Sequence, residues 1–139
     1  MIVADTNVIS EFMRDLPDSR VWAWAEGVAT GDLAMSAVSI EEIEYGIGLV
    51  PQGRRRRELE AAWRTVERGF REAVIPYDGD AARATASLLV EVRSSGRRMS
   101  RADAQIAGTC VASGYALATR NIKDFAAVAG LEMVNPFTV

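Results

Sequence analysis

Apolar and polar positions follow two rhythms along this chain, and each change of rhythm marks an element. Residues 2–5 form a short apolar run closed by a carboxylate, Asp5, with Thr6 and Asn7 immediately after it. A strand buried on both faces of a parallel sheet reads as such a run. Thr6 and Asn7 are residue types that cap a following helix. Residues 6–14 and 18–28 read as helices separated near Pro17, and residues 33–36 as a second strand. Ser39, with Glu42 three residues later, has the form of a capping box. The helix it opens is predicted to run to about Leu49 and to stop before Pro51-Gln52-Gly53. The clearest helical stripe lies over residues 54–72, where Leu59, Trp63, Val66 and Phe70 recur at spacings of four, three and four. Residues 74–77 read as a third strand, and 81–94 as a helix ended by Ser95-Gly96. Residues 100–112 read as a helix with Ser100 as its cap and Asp103 in its first turn. A fourth strand over 115–119, a short helix over 124–128 and a last strand over 132–134 complete the pattern. This alternation predicts an α/β fold, a central parallel sheet with helices on both faces. A length of 139 residues suits one domain, 1–139, with no internal repeat or linker to divide it.

Composition narrows the chemistry mainly by what is missing. There is no histidine, so imidazole proton transfer and His-ligated zinc are excluded. Cys110 is the single cysteine, which excludes an internal disulfide and Cys-cluster metal sites. Its setting among small and apolar helix residues marks it as a buried structural thiol. An enzyme built from this chain works with carboxylates, hydroxyls, arginines and an oxygen-preferring metal. No apolar run approaches the ~20 residues of a membrane span. Asp5 interrupts the N-terminal apolar stretch, so no signal peptide is expected and the protein is placed in the cytoplasm.

The net charge of −3 is unevenly spread. Residues 1–53 carry nine acids against two arginines, whereas residues 54–101 carry twelve arginines against seven acids. An acidic half beside an arginine-rich middle fits a cation site next to a polyanion-binding surface. A solvated helix face would produce the same arginine count, and Lys123 is the only lysine.

Four places can bring oxygen ligands to one sheet edge. Asp5 follows the first strand, Glu42 lies early in the helix after the second, Asp103 opens the helix before the fourth, and Asn121 and Asp124 follow the fourth. Each has an ordinary structural explanation: a cap for Asp5 and Asp124, a capping box for Glu42, the helix dipole for Asp103. Open α/β sheets, however, bind ligands outside the carboxyl ends of their strands. Two carboxylates about 4 Å apart repel by roughly 4 kcal/mol at an effective dielectric of 20. A group of three or four therefore needs protons or a hard divalent cation, Mg²⁺ or Mn²⁺.

These residues resemble the PIN-domain family, and within it the VapC-type toxins of the FitB-like branch. The resemblance rests on Val3-Ala4-Asp5-Thr6-Asn7-Val8-Ile9-Ser10-Glu11, on Ser36-Ala37-Val38-Ser39-Ile40-Glu41-Glu42-Ile43-Glu44-Tyr45-Gly46, and on Arg101-Ala102-Asp103-Ala104-Gln105-Ile106-Ala107. Ala118-Thr119-Arg120-Asn121 and the closing Val134-Asn135-Pro136-Phe137 continue it over nearly the whole length. It implies an α/β/α sandwich and a metal-dependent endoribonuclease. It further implies Asp5, Glu42 and Asp103 as the acids that hold Mg²⁺ or Mn²⁺, with Glu42 rather than Glu41 matching because it stands four residues before Gly46. A fourth acid often follows the fourth strand in this family. Here Asn121 takes one form of that position and Asp124 lies three residues on, so either or both complete the site. Thr119 is placed to hold water or a neighbouring acid.

The expected reaction hydrolyses RNA phosphodiester bonds, with single-stranded tRNA or rRNA loops as the expected targets. Arg54, Arg55, Arg56, Arg57, Arg97, Arg98, Arg101 and Arg120 are the candidate RNA contacts. Likeness to the family also implies a homodimer and a VapB-like antitoxin, with further assembly on operator DNA through the antitoxin left open. Trp22, Trp24 and the 54–72 stripe are either interface or core. Two rival readings stand beside this one. In the first, Asp5 is a phosphoaspartyl nucleophile, but the second aspartate that the phosphatase pattern places two residues on is Asn7 here. In the second, the chain is a PIN-like module that binds RNA or a partner without cutting.

Overall fold

The computed structural model describes residues 1–139. Five strands, β1 (Ile2–Ala4), β2 (Leu33–Ser36), β3 (Val74–Ile75), β4 (Ala116–Ala118) and β5 (Met133–Val134), alternate with helices. The helices are α1 (Thr6–Phe12), α2 (Ser19–Gly27), α3 (Ala37–Gly48), α4 (Arg54–Gly69), α5 (Gly79–Ser94) and α6 (Arg101–Ser113), and a 3₁₀ turn spans Ile122–Phe125. All strand pairs are parallel, and the spatial order is β3-β2-β1-β4-β5. The chain builds outward from β1 through β2 to β3, then returns to the other side of β1 with β4 and β5. Between β1 and β4 the direction of building reverses, and at such a switch point an α/β sheet opens a crevice at its carboxyl edge. Asp5 and Thr119 are the first residues beyond the two strands that flank it.

The alternation of side chains along β1 and β4 separates two cores. Ala4 and Ala118 join Met35 in one, with Val8 and Ile9 of α1, Val21 of α2, Ile43 and Ile47 of α3 and Trp63 of α4. Val3 and Leu117 point the other way, into Leu88 of α5 and Ala104, Ile106, Ala107 and Cys110 of α6. The sheet is thus covered on both faces, the sandwich that the sequence predicts. The 54–72 stripe is core: Trp63 and Phe70 are buried, and Leu59 and Val66 pack against them. Trp24 also packs on that core, whereas Trp22 is half exposed and stands edge-on to Phe12 at 6.0 Å. Cys110 is fully buried, and burial pushes its thiol up to about 12, so it is inert at neutral pH. No helix is long and apolar enough to cross a membrane.

Helices α5 and α6 meet at Gly108. A β-carbon there would lie 2.0 Å from Thr85 Oγ1 and 2.9 Å from Thr85 N, so only glycine permits this approach. Gly114 ends α6 with φ of 71°, the left-handed conformation that glycine adopts without strain.

Three expectations about helix starts are corrected. Asp5, not Thr6 or Asn7, is the N-cap of α1, its side chain accepting from Thr6 N. Ser36, not Ser39, caps α3, because the strand passes into the helix with no intervening loop and the Ser36 hydroxyl reaches Val38 N. Ser39 is one turn inside, and its pairing with Glu42 is not a capping box. Asp124 lies within the 3₁₀ turn rather than at its cap. Ser100 caps α6 as expected, accepting from Asp103 N at 3.1 Å.

Candidate active site

Asp5 is held at the switch point by both chain ends that meet there. It is only 4% exposed. Its Oδ1 accepts from Thr6 N at 2.8 Å, fixed by the opening of α1. Its Oδ2 accepts from Thr119 Oγ1 at 2.7 Å and from Asn7 Nδ2 at 3.1 Å. Thr119 Oγ1 in turn accepts from Asn121 N at 3.0 Å, which folds the loop after β4 onto the site. Burial raises the Asp5 carboxyl to about 6. The bonds from Thr119 and Thr6 oppose that rise, and the nearby negative charges of Asp103 and Glu42 add to it.

Glu42 approaches from α3. Its Oε1 accepts from Thr6 Oγ1 at 2.7 Å, and that hydroxyl also meets Ser39 Oγ at 2.8 Å. Buried Ser39 is thereby part of the wall under Glu42. Asp103 stands in the first turn of α6, half buried. Burial raises its carboxyl, Ser100 opposes the rise, and the charge of exposed Asp124 adds to it. The charges of Asp103 and Glu42 thus reach Asp5, and that of Asp124 reaches Asp103. No three acidic side chains are gathered tightly enough to cage a metal by protein ligands alone. Mg²⁺ does not require such a cage: it keeps several waters and binds through one or two carboxylates plus substrate phosphate. A buried carboxyl that resists ionisation, all-oxygen neighbours and no histidine or accessible thiol fit a hard cation in that mode.

The remaining candidates divide. Thr119 is placed directly on Asp5. Asn121 meets the site through its backbone N–H, and its exposed side chain makes no capping bond. Among the arginines, Arg55 and Arg120 line a cleft of about 820 Å³ whose wall includes Thr6, Asn7 and Glu42. Arg54 and Arg56 are engaged by Glu58 and Glu60 one turn along α4, at 3.0 and 2.9 Å. Arg57 and Arg101 are exposed and line none of the principal clefts. Arg97 and Arg98 line a separate concavity with Lys123 and Asp124.

Four participants were absent from the sequence candidates, or present only as caps: Thr6, Asn7, Glu11 and Ser39. Asn7 binds Asp5 through its amide nitrogen and accepts from Arg120 N, at 3.2 Å, through its oxygen. Glu11 is 4% exposed and contacts Arg14 at 3.1 Å and Arg120 at 3.6 Å. A signal for both was present, since Asn7 and Glu11 stand one helical turn apart directly after Asp5.

The sequence profile of the PIN domain family matches residues 2–131. The chain is similar to VapC ribonuclease Y4jK of Sinorhizobium fredii, with 39% identity over 141 residues, 99% of this chain and 98% of that protein. It is 31% identical to Toxin FitB of Neisseria gonorrhoeae over 138 residues, covering 99% of each. The solved structure of FitAB bound to an IR36 DNA fragment superposes with a TM-score of 0.89 at 31% identity, covering 100% of this chain and 97% of that one.

Proposed function

The chain belongs to the PIN-domain family, and from that premise we propose that it is an endoribonuclease dependent on Mg²⁺ or Mn²⁺ and the toxin of a toxin–antitoxin pair. The observation that carries the reading is Asp5: a buried carboxylate at the switch point, fixed on both oxygens, in the field of Glu42 and Asp103. The relatives named as a VapC ribonuclease and a toxin support it. The FitAB structure on DNA supports an antitoxin partner, with assembly on operator DNA through that partner.

In this reading Asp5 and Asp103 hold the cation, and Glu42 orients it or its water. When bound there, the cation lowers the pKa of its water and neutralises a phosphate oxygen. The protein residues do the rest. Thr119 and Thr6 N favour the ionised form of Asp5 against the effect of burial and aim it, and Thr6 Oγ1 fixes Glu42. Asp124 tunes Asp103 by its charge, and the Asn121 backbone holds Thr119 in place. Arginines on the cleft attract the RNA backbone by salt-sensitive contacts. Single-stranded loops of tRNA or rRNA are the substrates, and the products carry a 5′-phosphate and a 3′-hydroxyl. The protein acts as a homodimer.

The test is incubation of the antitoxin-free protein with total bacterial RNA in Mg²⁺, in Mn²⁺ and in EDTA, beside Asp5→Asn. Discrete fragments that need the metal and vanish in the variant are expected. Cation binding with no cleavage of any RNA would overturn the reading in favour of a PIN-like binding module.

A further inference from the structure

We propose that Glu11 is a positioning residue that holds Arg120 and Arg14 as a paired guanidinium cradle for a backbone phosphate of the RNA, next to the bond that is cut. The proposal rests on the ribonuclease reading above.

Glu11 is a buried carboxylate with too many partners for a simple structural role. Its Oε2 accepts from Asp18 N at 2.8 Å and from Arg14 Nη1 at 3.1 Å, and its Oε1 lies 3.6 Å from Arg120 Nη2. A buried charge needs pairing, but one guanidinium would satisfy it. Two guanidiniums on one carboxylate leave a net positive charge, and both remain open to solvent, with the Arg14 and Arg120 side chains 63% and 53% exposed. Arg54 and Arg56 show the contrast, because each has its own glutamate.

Besides Glu11, three contacts hold Arg120, two on its backbone and one on its guanidinium. Its backbone N–H donates to Asn7 Oδ1, and its carbonyl accepts from Asn135 Nδ2 at 3.4 Å. Its guanidinium carbon lies 3.8 Å from the centroid of the Phe137 ring, a cation–π contact with a buried residue. The closing Asn135-Pro136-Phe137 segment, which the catalytic reading leaves unused, thus serves as the seat of this one side chain. Such restraint is worth making where a planar fork must meet an anion in fixed register. The location agrees. Arg14 and Arg120 line the same cleft as Thr6, Asn7 and Glu42, and Asn7 bonds both Asp5 and Arg120. An anion that bridges the two guanidiniums would therefore lie in the cleft that Glu42 lines, rather than in the separate concavity of Arg97 and Arg98.

The experiment is fluorescence anisotropy of a labelled, short single-stranded oligoribonucleotide with the full-length protein in EDTA, over a range of NaCl concentrations. Steady-state cleavage in Mg²⁺ and thermal melting accompany it. Arg120→Ala is expected to weaken binding about tenfold and to reduce the slope of log K against log salt by about one. Glu11→Gln keeps an acceptor for Asp18 N but removes the charge. It is expected to weaken binding by about three- to tenfold, with the loss falling mainly on KM. In an Arg14→Ala/Arg120→Ala background, Glu11→Gln is expected to have no further effect on RNA affinity, as a residue that acts through those two must. Wild-type protein that binds and cleaves RNA while these variants bind as tightly would overturn the cradle and leave the ribonuclease reading standing. An undiminished effect of Glu11→Gln in the double-arginine background would do the same, assigning Glu11 to the fold alone. Wild-type protein that neither binds nor cleaves RNA would overturn both.

Discussion

The charge of Asp103 reaches Asp5, yet the fold treats the two acids differently. Asp5 is sealed between two strand ends with both oxygens bonded. Asp103 sits half buried at the start of a helix, beside the exposed Asp124. Burial raises both carboxyls, but one wall of the site is sealed and the other is partly open to solvent. The difference shows how the proposed cation site would do without a complete cage. In that reading the sealed acid would fix the cation's position, and the partly open one would leave room for water and a phosphate.

The largest break in that comparison is Asp5→Asn. Removing the fixed carboxylate is expected to lower cleavage by about 10³-fold or more, since several kcal/mol of cation-based stabilisation is lost. Asp103→Asn, measured in the same RNA assay, should cost less. Equal losses would mean that the two walls do not differ in function.

Stability against pH probes the cost of the sealed wall directly. The folded-state value for Asp5 is raised from 3.8 to about 6. Its protonation therefore stabilises the metal-free fold fully below pH 3.8, and that stabilisation is lost as pH rises through about 6. The difference corresponds to about 3 kcal/mol. In EDTA, wild type should lose stability relative to Asp5→Asn between pH 4 and pH 8 in denaturant melts, and Mg²⁺ should restore it at the upper end. A pH-independent difference between the two proteins would show that Asp5 ionises freely.

Thr119→Val removes a hydrogen bond to the charged form of Asp5, so the carboxyl rises further. Activity at neutral pH should fall about 10- to 100-fold, as for other residues that orient a metal ligand. The acid limb of the pH–rate profile should move to higher pH, with partial recovery in alkaline buffer. A uniform loss at all pH values would point to misfolding instead. The smallest change is expected from Asp124→Asn. It relieves the repulsion that raises Asp103 and should alter the Mg²⁺ concentration for half-maximal cleavage by only about threefold, given the exposure of the group.

Much of this arrangement was legible in the sequence, for identifiable reasons. The second strand, the α4 stripe and the Ser100 cap follow from apolar periodicity and a single capping hydroxyl, both local. The acids Asp5, Glu42 and Asp103 stood out because each lies at a predicted strand or helix end. Ser39 is not the cap that its spacing to Glu42 suggests, because Ser-x-x-Glu looks the same whether or not a turn of helix precedes it. Glu11 and Asn7 do not stand out in the sequence because Arg120, which meets the carboxylate of one and the amide oxygen of the other, is brought to them only by the pairing of β1 with β4. The arginines could not be sorted by sequence, since only packing shows that Arg54 and Arg56 already have glutamate partners while Arg120 is seated on Phe137.

The bond from Thr119 to Asp5 spans 114 positions, and that from Thr6 to Glu42 spans 36. A chain still on the ribosome before β4 has emerged lacks the strand that completes the central pairing and the hydroxyl that fixes Asp5. In the proposed reading, a copy that ends before β4 is expected to lack cleavage activity, because Asp5 then has neither its Thr119 partner nor the strand beside β1.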